Sequence, residues 1–79
     1  MRKFITEIQG KEVMTATGKR LGTIDNVVLD TGTGELQHLL VIPDPAIDPR
    51  GYRRDYQERL VLPFKNIKAV RDVVVIGGV

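Results

Sequence analysis

The chain has a single histidine, His38, set in Leu36-Gln37-His38-Leu39-Leu40 with apolar residues on both sides. An imidazole works as an acid, a base or a metal ligand only where other polar groups converge on it. LQHLL offers none, so His38 reads as a strand histidine that is hydrogen-bonded or faces solvent. Asp25 and Asp30 are the next candidates, as a carboxylate pair for metal or general-acid work. Five apart on one strand, they point to opposite faces unless a bulge shifts the phase. The chain contains no serine and no cysteine, and its threonines gather in turns. The expectation is a chain without catalytic, cofactor-binding or metal-binding residues, and not an enzyme.

Two glycine segments invite a phosphate-loop reading, Gly18-Lys19-Arg20-Leu21-Gly22 and Thr31-Gly32-Thr33-Gly34. A phosphate cradle needs its turn to open a helix, so that amides and dipole converge on the anion. Both turns here lead into strand-like runs, and their glycines read as hairpin glycines.

The segment 43–60, PDPAIDPRGYRRDYQERL, holds three of the four prolines and both tyrosines. Arg50, Arg53 and Arg54 beside Tyr52 and Tyr56 form the mixture that stacks on bases and pairs with phosphates. Four arginines (50, 53, 54, 59) are matched by Asp44, Asp48, Asp55 and Glu58, so the segment carries no net charge. Phosphate-driven binding needs uncancelled positive charge, which makes a nucleic-acid site the weaker reading. Tyr and Arg are also enriched at protein interfaces, and the prolines lower the ordering cost of binding. A partner-binding loop and a plain long connection both remain open.

The elements that must position these residues are short. Seventy-nine residues make one domain, 1–79, with a proline-rich insertion at 43–58. A domain this small buries only about 60–65% of its unfolded surface, and without cysteine no disulfide can staple it. Self-association is a common remedy. Net charge is +2, with acidic residues spread among basic ones. No apolar run reaches the ~18 residues of a spanning helix, and the N-terminus has no signal-peptide pattern. The expected location is cytoplasmic, with no membrane insertion.

Residues 1–9 fit a helical turn or an irregular docking strand, because Phe4 and Ile8 are four apart. Strands are expected at 11–16 with Val13 inward, at 20–30, at 36–42 ended by Pro43, at 59–62 closed by Pro63, and at 73–76. Residues 64–69 read as a short helical turn with Phe64 and Ile67 on the core side. In 20–30, Leu21, Ile24 and Val27 break strict alternation, so a bulge is expected near Gly22 or Asp25-Asn26. Asp30 is placed to cap the following turn with its carboxylate. Five or six short strands at roughly ten-residue spacing make an all-β, small, strongly bent barrel or sandwich.

Four pieces taken in order carry a resemblance: GKEV at 10–13, GKRLGTIDNVVLDTGTGELQHLLV at 18–41, LPFKNI at 62–67 and VRDVVVI at 70–76. Together they resemble the PRC-barrel domain over almost the whole chain. The resemblance implies a bent barrel of about six strands. Related domains occur in the reaction-centre H subunit and in the ribosome-maturation factor RimM. Stand-alone versions are typical of archaea, and some are similar to cell-division proteins that associate with SepF at the FtsZ ring. On that resemblance the chain is expected to be a cytoplasmic adaptor whose protein partner is SepF-like or another PRC-barrel protein. The alternative is an RNA- or ribosome-associated module like the barrel of RimM.

Two runs add a physical argument for self-association. In Val73-Val74-Val75-Ile76 and Leu39-Leu40-Val41-Ile42 both alternating sets are apolar, so one face fills the barrel and the other needs cover, either from the chain's own N-terminal residues 4–8 or from a second copy. Leu39, Val73 and Val75 are the residues expected to pair two copies into a homodimer. Arg50, Tyr52, Arg53, Arg54 and Tyr56 are those expected to meet a partner.

Overall fold

The fold is seen in a computed structural model that describes residues 2–79, with side chains from position 4 onward. A short helix, α1 (Arg2–Ile8), precedes six strands: β1 (Glu12–Thr15), β2 (Arg20–Leu29), β3 (Leu36–Pro43), β4 (Leu60–Pro63), β5 (Ile67–Val70) and β6 (Val73–Ile76). They form one sheet in the order β4-β3-β2-β1-β6-β5. β1 and β6 run parallel, and every other neighbouring pair is antiparallel. The two edge strands, β4 and β5, are consecutive in the chain and joined by the 3-10 turn Phe64–Asn66. The sheet therefore bends back towards itself as a barrel whose seam is not closed by a strand ladder.

The bends come from bulges in the strands. Leu21 is the extra residue where Val13 faces Gly22 and Met14 faces Arg20. Asp25 is the extra residue between the pairs Ile24–Val41 and Asn26–Leu40. Both lie where the broken alternation of β2 predicts them, since each extra residue moves the following side chains to the other face. At Gly22, φ is +155° and an added Cβ would overlap the Ile42 carbonyl oxygen. Only glycine lets β3 approach β2 this closely.

The core is a single aliphatic cluster of Ile8, Val13, Leu21, Ile24, Leu39, Val41, Ile47, Leu60, Leu62, Val74 and Ile76. Among the described residues no polar side chain is fully buried. α1 packs against β2 and reaches the turn that links the edge strands: Ile8 is fully buried, and the Phe4 ring stands edge-on to Phe64 at 6.0 Å and 82°. Of the two readings for the N-terminal segment the helix is the one adopted; Met1 lies outside the described residues.

One sequence expectation needs correction. Residues 67–69 are not the end of a helical turn but part of a strand, which pairs Ile67 with Ile76, Ala69 with Val75 and Val70 with Val74. The helical part is confined to Phe64–Asn66. The strand is created by its partner across the Arg71-Asp72 turn, and its own four residues carry little period-two contrast.

Candidate functional site

The segment between β3 and β4 is folded onto the barrel rather than looped away from it. Its prolines lead into Ile47, which is 9% exposed and belongs to the core cluster. Asp48 caps the 3-10 turn Pro49–Gly51 by accepting the Arg50 N–H at 3.0 Å. Tyr52 then packs against the core. From there the chain runs beside β4: the Val61 N–H donates to the Arg53 carbonyl at 2.9 Å, and Arg54 bridges to Leu60.

Residues 55–59 form a tight reversal. The Asp55 N–H donates to the Arg59 carbonyl at 3.0 Å, and the Glu58 N–H donates to the Asp55 carbonyl at 3.0 Å. The Asp55 carboxylate accepts the N–H groups of Gln57 and Arg59 at 3.0 and 2.8 Å, filling the donors inside the turn. Glu58 sits at φ +63°, a left-handed conformation costing about 1 kcal/mol for such a residue.

Arg59 fastens this turn to the barrel. Its Nε donates to Asp55 Oδ2 at 2.8 Å and its Nη1 to Asp25 Oδ2 at 2.7 Å. The side chains of Arg59 and Asp55 are each only 15% exposed. Asp25 is available because the β2 bulge frees it from the ladder register. Hydrogen bonding from Asp25 raises the Arg59 guanidinium above its ordinary value, against the pull of burial, with Asp55 adding to it. Burial pushes the Asp55 carboxyl up. The hydrogen bonds from Arg59 and Gln57, with the Arg59 charge, outweigh it and hold Asp55 below the usual carboxylate range.

The residues assigned to partner binding separate into two groups. Arg50 makes a two-pronged pair with Asp48, both contacts at 3.0 Å, and Arg54 pairs with Glu58 at 2.7 Å. Hydrogen bonds from the Arg50 side chain and N–H hold Asp48 below its ordinary pKa. Three of the segment's four arginines, Arg50, Arg54 and Arg59, are thus each paired with one of its own carboxylates. Arg53 makes no ion pair or side-chain hydrogen bond among the described residues. Tyr56, at the tip of the turn, is 88% exposed, whereas Tyr52 is half-buried. Arg53 and Tyr56 are therefore the two of these residues whose side chains are left without a carboxylate partner or burial.

At the far end of β4 lies a second feature that the sequence reading missed. Phe4, Leu36 and Phe64, with Glu35 on the rim, line an open groove of about 540 Å³. It continues past Glu35 and Leu36 to Gln37, His38, Pro63 and Lys65. Only the Phe4-to-Ile8 spacing hinted at it, because three separate segments build its walls.

The remaining candidate residues are scattered. Leu39 is fully buried inside the barrel, so it is not on any surface that a second copy could reach. Period-two alternation turns Leu39 and Val41 into the core cluster and Leu40 and Ile42 to the other face, where Leu40 is only 8% exposed and Ile42 is 52% exposed. Val73 and Val75 lie on the outer side of β6 and are half-buried, while Val74 and Ile76 fill the core. His38 is half-buried opposite Pro63 and Val28. Asp30 accepts the N–H groups of Gly32 and Thr33 at 2.7 and 3.2 Å, as the turn reading expects, and is separate from Asp25 in the clamp. Among the described residues no group of three or more acidic, His or Cys side chains is placed to hold a metal. No helix among them is long and apolar enough to cross a membrane.

No curated protein gives a significant match to the chain. The six-stranded bent sheet, the bulged β2 and the closing β5–β6 hairpin agree with a match to the family model of the PRC-barrel domain over residues 1–78, and the chain belongs to the PRC-barrel domain family.

Proposed function

We propose that this chain is a non-catalytic protein-interaction module whose partner-facing surface is the clamped turn carrying Arg53 and Tyr56. The observation that supports the reading is the clamp. A strained Glu58 and the Asp25–Arg59–Asp55 ion pairs hold in fixed geometry a turn whose tip displays a nearly bare tyrosine. A rigid aromatic anchor beside an unpaired cation suits a protein interface, where Tyr and Arg dominate binding energy and pre-organisation lowers its cost. On the family resemblance, the module acts in the cytoplasm as an adaptor in archaeal cell division, with a SepF-type protein or a paralogous barrel as partner. The internal pairing of Arg50, Arg54 and Arg59 argues against the RNA-binding alternative, because little positive charge is left to displace counterions.

Affinity capture from native lysate tests the reading. Wild-type protein is expected to enrich a SepF-type protein or a second barrel, and Arg53→Glu with Tyr56→Ala to lose it. An unchanged set of captured proteins would remove the turn from the interface.

A further inference from the structure

The tyrosine knob and the aromatic groove lie on the same molecule but cannot meet within it. The turn bearing Tyr56 precedes Leu60 at one end of β4, and Phe64 follows Pro63 at the other. Four strand residues separate the two ends by about 13 Å. The residues lining the groove do not include Tyr56, whose ring is left in water.

The two features complement each other in three respects. The groove walls are two phenylalanine rings and a leucine, and a phenol ring entering it can take the edge-to-face arrangement that Phe4 and Phe64 already adopt. The Tyr56 hydroxyl already accepts from its neighbour Gln57 Nε2 at 3.2 Å, so it can enter with one hydrogen bond in place. The charges match too. The cation left unpaired beside Tyr56 is Arg53, and the Glu35 carboxylate on the groove rim has no side-chain partner among the described residues. Lys65 lies farther along, on the continuation of the groove towards Pro63. Arg50, Arg54 and Arg59, whose charges would otherwise compete for Glu35, are each held by their own carboxylates.

We propose that a second copy of this chain is the occupant of the groove: Tyr56 of one copy inserts between Phe4, Leu36 and Phe64 of another, with Arg53 reaching Glu35. The proposal rests on reading the clamped turn as the partner-facing surface, and it names that partner. Because knob and groove are different patches, the contact is heterologous. It closes into a pair if each copy fills the other's groove, and otherwise propagates head to tail.

The test is light scattering on purified protein across a concentration series into the high micromolar range. Wild type is expected to associate. Tyr56→Ala, which alters no core contact, is expected to weaken association by about thirtyfold or more, the effect of losing an interfacial anchor. Arg53→Glu and Glu35→Arg are each expected to weaken it. An equimolar mixture of these two variants should regain association, because one copy then supplies the reversed anion and the other the reversed cation. Restoration on mixing assigns the contact to Arg53 and Glu35 of different copies. A monomeric wild type overturns the proposal, as does a Tyr56→Ala protein that associates like wild type or a mixture that stays dissociated. A monomeric wild type leaves the capture experiment on the clamped turn standing, so the two failures are distinguishable.

Discussion

At the scale of single residues, Gly22 is the position where the fold leaves no choice. Its φ of +155° lies outside what an L side chain adopts readily, and its missing Cβ is where the Ile42 carbonyl oxygen sits. Gly22→Ala therefore adds backbone strain to a clash with main chain, which cannot rotate away as a side chain could. Denaturant unfolding is expected to show a loss of about 3 kcal/mol or more, at the upper end of overpacking costs. A loss below about 1 kcal/mol would mean that β2 and β3 are not this close. The glycine was legible in the sequence as a bulge or bend, because it interrupts an alternating aliphatic run. Leu39 was misread for a related reason. Leu-Leu-Val-Ile has no polar member to mark a face, and only pairing with Val27 and Leu62 fixes which side is inside.

At the scale of the element, the segment from Pro43 to Arg59 shows how far local sequence carries. Its neutrality and its proline-fixed start could be counted directly. The clamp could not, because Asp25 stands 34 positions from Arg59 and is exposed to it only by the bulge in β2. The groove was hidden in the same way, since its walls come from α1, β3 and the turn after β4. The clamp carries a pH dependence whose sign follows from Asp55. Its carboxyl is held below the ordinary value in the folded state, so ionised Asp55 favours folding above the unfolded pKa, and that advantage is lost as pH falls through the folded pKa. Thermal unfolding of wild type and Asp55→Asn is the measurement. The variant is expected to melt lower at neutral pH, and the gap to start narrowing as pH drops below about 4 and to close only once pH has fallen through the lowered folded-state pKa, where both carry an uncharged side chain. A gap that is constant with pH would assign the effect to the turn's hydrogen bonds alone and remove the ionic part of the clamp.

At the scale of the whole molecule, the short N-terminal helix is tied into the core of an open sheet. β4 and β5 are the sheet's edges, and no ladder joins them. Packed against β2 is α1, seven residues long and too short to be stable alone. Its attachment is specific: Ile8 is fully buried in the core, Phe4 packs on Phe64, and the chain leaving the helix donates from the Gly10 N–H to the Ile24 carbonyl at 2.9 Å. Since Ile8 belongs to the same cluster as Val74 and Ile76 of the last strand, helix and barrel share one core and should unfold together. Ile8→Ala removes a branched side chain from that core and is expected to cost about 3 kcal/mol. For a domain of this size that is a large share of a total of about 8 kcal/mol. Urea unfolding followed by far-ultraviolet circular dichroism and by a dye that binds exposed apolar surface should show one coincident transition, moved to lower urea with an unchanged slope. If the dye signal instead rises well before the strand signal is lost, the helix is a detachable lid rather than part of the core.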